Sequence, residues 1–148
     1  MLHAGQHGTA HAVTGFTVQL LGATQYEQLD DVVSFVGEDG SGSFGLMKGH
    51  ARFVTTLVFG LARVRYAHGG WEYLALPGAV AYFERDNLRL SARRFLRSND
   101  YTHISKVLRE EFVQEERTLL EFRRSLAQME QAMLVRLWRI GRGEEIKL

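Results

Sequence analysis

The chain contains no cysteine. Disulfides, zinc-thiolate centres and thiol nucleophiles are therefore excluded, and a chain of 148 residues can bury a usable core without such staples. Only one proline is present, Pro77, and from Phe83 to Ile140 there is neither proline nor glycine. No apolar run approaches the roughly 18 residues that a membrane-spanning helix requires. The amino terminus lacks a basic segment followed by an apolar stretch, so no signal peptide is expected and the chain reads as soluble and cytoplasmic. A dominant charge sign is missing too. The formal net charge is +1, which implies neither nucleic acid nor a membrane surface as partner.

What is present falls into regions with different periods. All but two of the fifteen glycines precede residue 80. Residues 1–14 show no stable period. His3, His7 and His11 are four apart, a metal-ligand spacing on a helix, but Gly5 and Gly8 oppose a helix there. A mobile tail is expected instead, followed by a β-domain over 15–97 and a helical arm over 98–148.

From Phe16 onward the period is two. Phe16, Val18 and Leu20 alternate with polar neighbours, and Val33 and Phe35, then Phe53, Thr55 and Leu57, continue the pattern. Arg63 and Arg65 fall on one face of their strand, and Trp71, Tyr73 and Ala75 follow the turn His68-Gly69-Gly70. Leu88 and Leu90 come after the turn Arg85-Asp86-Asn87. Alternation puts one face inward and one outward. Short strands at about ten-residue spacing, separated by glycine turns, predict an all-β antiparallel sandwich.

The stretch GSGSFG, residues 40–45, has glycine spacing that elsewhere cradles a pyrophosphate. Such a loop must open a helix whose N-terminus holds the phosphate. Here Gly49 and the β-branched run Val54-Thr55-Thr56 follow, and Leu46 stands where a phosphate-loop lysine belongs. Turn chemistry explains the glycines, and no bound cofactor is expected.

Beyond Asp100 the reading is helical. Ser98, Asn99 and Asp100 offer cap side chains, and Gly141 fits the other end. Roughly 40 unbroken residues would extend about 60 Å. Steps of three and four connect Leu108, Phe112, Leu119, Phe122, Leu126, Met129, Met133, Leu137 and Ile140, a packing stripe. Glu115 interrupts it, but no turn residue accompanies Glu115. The arm is therefore one long helix or a helical hairpin, with the continuous form favoured.

No catalytic residue, metal site or cofactor site emerges. His50 has no serine or carboxylate nearby in the sequence, and Glu38 and Asp39, as strand neighbours, would face opposite sides. The basic stretch 85–109 contains only two aromatics, Phe95 and Tyr101, too few for stacking on nucleic acid.

Two motifs carry a resemblance. Ser43-Phe-Gly-Leu-Met-Lys-Gly-His-Ala-Arg-Phe-Val-Thr-Thr-Leu57, then Gly60, resembles the G-x-L-G-x-x-P-G-H-A-P-x-x-T-x-L signature of the epsilon subunit of F-type ATP synthases. Tyr73-Leu-Ala-Leu-Pro-Gly-Ala79 is similar to that family's YLAVSGG. Lys48 and Arg52 replace the two usual prolines, and the turnless arm and paired Arg93-Arg94 look more like the divergent N-type branch, for which sodium is a candidate ion. The resemblance implies a non-catalytic central-stalk subunit, peripheral to the cytoplasmic face of a bacterial inner membrane. It would join the gamma subunit to the rotor-ring c subunits and could regulate ATP hydrolysis through its arm. Carried onto this chain, it implies that Ser43, Phe44 and Gly45 face the ring and that His50 lies near gamma. Arg123, Arg124, Arg136 and Arg139 on the arm would meet gamma or the catalytic beta subunits, with no nucleic acid and no membrane insertion. A different class of function is a free-standing sandwich adaptor whose helix associates as a coiled coil.

Overall fold

The computed structural model describes residues 15–142. The expected tail, with His3, His7 and His11, lies outside the described residues. The described chain divides into two compact units between Arg109 and Glu110.

The first unit is a β-sandwich built from nine strands. They are β1 (Phe16–Leu21), β2 (Tyr26–Asp39), β3 (Gly42–Leu46), β4 (Phe53–Leu57), β5 (Gly60–Tyr66), β6 (Trp71–Leu76), β7 (Ala79–Glu84), β8 (Asn87–Ser91) and β9 (Leu96–Ser98). Pairing is antiparallel throughout except between β1 and β8, which run parallel. The long β2 serves both layers: its first half pairs with β1 and its second half with β3 and β5. The switch falls where Asp31 takes φ 56° and the register shifts between Val32 and Ser34. This bulge corrects the alternation expected around Val33. Val32 and Phe35 are buried, while Val33 is not. An extra residue in one strand reverses the face of everything beyond it.

The core lies between the layers. Phe35, Phe83, Leu20, Leu46, Leu74 and Leu88 are among its most deeply buried side chains, and Phe16 meets Phe83 edge-on at 5.4 Å. The β7–β8 turn uses positive φ at the non-glycine residues Arg85 and Asp86 (51° and 56°), the mirror-image geometry that matches strand twist. At the β2–β3 turn, Gly42 has φ 122°, which only glycine adopts without strain.

After β9 the chain enters α1 (Tyr101–Val107). The Asp100 side chain accepts the His103 N–H at 3.1 Å, so the N-cap expected near 98–100 is Asp100. Ile104 is fully buried as α1 packs on β6 and β9, and Tyr101 meets Tyr73 edge-on at 5.2 Å.

The helix continues through a π-helical turn, Leu108–Phe112, into α2 (Val113–Gly141). The arm is thus the single long helix, without a hairpin. In the second unit, α2 has 29 residues, none of them buried, and a length of about 43 Å.

Candidate functional site

Among the described residues no group of three or more histidines and carboxylates is placed to hold a metal ion. What the fold does build is a set of surfaces.

Ser43, Phe44 and Gly45 lie on β3, opposite Glu38, Gly37 and Val36 of β2. Strand alternation separates them. Ser43 and Gly45 are exposed, whereas Phe44 turns inward, 6.2 Å from Phe35 and 5.1 Å from Phe53 between ring centres. The preceding turn is fixed by Asp39, whose carboxylate accepts from the Ser41 N–H at 2.8 Å, the Ser41 hydroxyl, and the Thr55 hydroxyl at 2.7 Å. These donors, the Ser41 hydroxyl foremost, hold the Asp39 carboxyl below the usual carboxylate range.

His50 closes a turn, its N–H donating to the Met47 carbonyl at 3.1 Å. The exposed ring stands edge-on to Phe53 and Phe83, at 5.7 and 5.9 Å. Phe53 therefore touches both Phe44 and His50, so the two expected contact regions, separate in sequence, share one aromatic neighbour.

Arg123, Arg124, Arg136 and Arg139 are all exposed on α2. With about 100° between successive residues they spread over an arc of roughly 220° rather than share one narrow face. The same arithmetic gathers Phe122, Leu126, Met129, Met133, Leu137 and Ile140 into a narrow seam, and every one of them is exposed. From 123 to 142 the helix carries five arginines against Glu130. Its seam is apolar and its flanks are basic.

Two clusters escaped sequence reasoning. Arg97 on β9 is gripped by Glu72 on β6 and by Glu27 on β2, the latter at 2.8 Å. Hydrogen bonds donated to Glu72 and then to Glu27 push the Arg97 guanidinium further above its ordinary range. Tyr66 donates to Glu72 at 3.2 Å; burial, then the Glu72 charge, raise its phenol to about 12. These partners are 25 and 70 residues apart for Arg97, so no local signal could reveal them. The second cluster is Arg63 and Arg65, whose guanidinium carbons lie 5.1 and 5.6 Å from the centre of the Trp71 ring. Their shared face was legible, but the Trp71 partner, across the strand pair, was not.

The fold is a β-sandwich followed by a long helix. The profile of the family described as "ATP synthase, Delta/Epsilon chain, beta-sandwich domain" matches residues 16–98. The chain belongs to the ATP synthase delta/epsilon chain family. A curated relative, ATP synthase epsilon chain 2 of Cereibacter sphaeroides, is 37% identical over 51 residues, which cover 34% of this chain and 35% of the relative. The matched segment thus spans about a third of that relative. Among solved structures, a chain of the Euglena gracilis mitochondrial ATP synthase (OSCP/F1/c-ring in rotational state 1) is similar in fold, with TM-score 0.54 and 19% identity over 66% of this chain and 63% of that one. A chain from the Tetrahymena thermophila mitochondrial ATP synthase central stalk and c-ring matches with TM-score 0.45 and 10% identity, over 54% and 64% of the two chains. Among the described residues no helix is long and apolar enough to cross a membrane.

Proposed function

We propose that this chain is a non-catalytic central-stalk subunit of a rotary ATP synthase, coupling a gamma subunit to the ring of c subunits on the cytoplasmic side of a bacterial membrane. Family membership over the sandwich supports the placement. The observation that carries the mechanical reading is the contrast between the two units. The sandwich packs its apolar residues around a continuous buried core, whereas α2 leaves a whole apolar seam uncovered.

A closely packed sandwich resists deformation and can transmit torque. In this reading Ser43 and Gly45 present the ring-facing surface, and Phe44 stiffens it from inside. His50 presents the gamma-facing surface. The seam of α2 docks on a helical partner, with Arg123, Arg124, Arg136 and Arg139 reaching acidic groups of gamma or of the catalytic subunits. A helix with two available partners is a switch, because whichever surface binds it more tightly sets its position.

The test is ATP hydrolysis and ion pumping by the assembled complex, with the full chain and with residues 113–148 removed. That cut keeps the buried Ile104 and Phe112. A changed hydrolysis rate with the truncated chain still bound supports regulation by the arm. Unchanged rate and coupling remove that role, and a full chain that never joins the complex removes the stalk assignment.

A further inference from the structure

We propose that the outer face of β5 and β6 is a docking surface for an acidic amphipathic helix of a partner protein, and the cavity of this surface shares Ser43 with the proposed ring-facing surface. Arg63 and Arg65 project from the same face of β5, and both are exposed. In the register of β5 and β6, Arg65 lies opposite Trp71 and Arg63 opposite Tyr73. Both guanidiniums sit over the Trp71 ring, which is itself 42% exposed. Stacking of this kind orders an arginine without neutralising it. Among the described residues no carboxylate lies within ion-pair distance of either guanidinium. The surface thus presents two ordered cations without a paired carboxylate among the described residues.

Two neighbouring guanidiniums select a ligand with two carboxylates. The Cα atoms of residues two apart on a strand are about 6.7 Å apart, and both guanidiniums converge on one indole ring. Carboxylates at i and i+4 on a helix are offset by about 6 Å along its axis. One turn of an acidic helix would therefore meet both guanidiniums, each suited to gripping a carboxylate with two N–H donors. Beside the pair is a cavity of about 210 Å³, lined by Val36, Leu61, Arg63, Tyr73 and Tyr101 among others. Arg63 is common to the pair and the cavity, so one apolar side chain of the same helix would enter the cavity while its acidic turn meets the arginines. Glu38 also lines this cavity. Its charge opposes a uniformly anionic sheet of phosphates and favours a helix of mixed character.

The chain has two tryptophans, Trp71 and Trp138. In a full-length Trp138→Phe protein, Trp71 fluorescence reports this face alone. The probe is a synthetic helical peptide with glutamates at i and i+4 and a leucine one turn away, titrated beside its glutamine counterpart. The proposal expects saturable binding that high salt weakens, and about tenfold lower affinity for the glutamine peptide. The same loss is expected when Arg63→Gln and Arg65→Gln are combined in the protein. The peptide exchange alters nothing in the protein, so it decides the matter even if the double variant folds poorly. Equal affinity for the two peptides, or no binding of either, overturns the proposal. So does a preference of the arginine pair for phosphatidylglycerol vesicles, or self-association in the ultracentrifuge that the double variant abolishes.

Discussion

The Asp86 carboxylate accepts the backbone N–H of Gly49 at 2.7 Å, tying the turn that carries His50 to the β7–β8 hairpin. Gly49 has φ 85° and Asp86 has φ 56°, so the link joins two left-handed positions on opposite turns. It fixes where His50 stands relative to the sandwich. Asp86→Gly keeps the backbone geometry and deletes the acceptor, whereas Asp86→Asn keeps an acceptor oxygen. One such hydrogen bond is worth about 1 kcal/mol. Hydrogen exchange at the Gly49 amide should quicken roughly fivefold in the glycine variant and much less in the asparagine variant. Equal exchange in both would show that the link constrains nothing.

Phe83 is fully buried against Phe16 and is also touched by the His50 ring. Phe83→Ala should cost about 3–5 kcal/mol, read from urea unfolding, because the sandwich cannot collapse around the space. Val80 lies on the same strand but points outward and is 49% exposed. Val80→Ala should stay within about 0.5 kcal/mol of the parent.

Arg97 pins β9 to β6 and β2 immediately before the helical arm begins. Removing it deprives Glu72, whose side chain is only 15% exposed, of its charged partner and leaves the Tyr66 hydroxyl donating to it. Arg97→Ala should therefore cost roughly 1–3 kcal/mol. Protection of the α1 amides against hydrogen exchange should fall with it. Loss of global stability without loss of α1 protection would separate the clamp from the arm.

The Tyr66 phenol is raised from 10.0 to about 12, first by burial and then by Glu72. A folded pKa above the unfolded one means that the folded state keeps its proton longer. The stability this confers is complete below pH 10 and is lost as pH rises towards about 12. Tyr66→Phe removes the ionisation. Unfolding free energies measured across that window should fall more steeply for the parent than for the phenylalanine variant. Parallel slopes would mean that Tyr66 titrates alike in both states.

The alternation of Phe16, Val18 and Leu20, and of Leu88 and Leu90, was legible in the sequence because each strand buries one face. The continuous arm was legible from the missing breakers between Phe83 and Ile140. The bulge at Asp31 was not, since an aspartate at positive φ leaves no mark on a hydrophobic pattern. Nor was the parallel pairing of β1 with β8, which joins segments about 70 residues apart through backbone bonds that any side chain permits. At the candidate surfaces, residue types could be read but directions could not. Phe44 sits between two exposed neighbours and turns inward, a consequence of register with β2.

A cysteine-free chain permits one decisive placement experiment. Single cysteines installed as Ser43→Cys and His50→Cys can be oxidised against cysteines placed on the c ring and on gamma in the assembled complex. The account predicts that position 43 links to the ring, that position 50 links to gamma, and that either bond stops rotation-coupled hydrolysis. Linkage of neither position, in a complex that contains the chain, would contradict it.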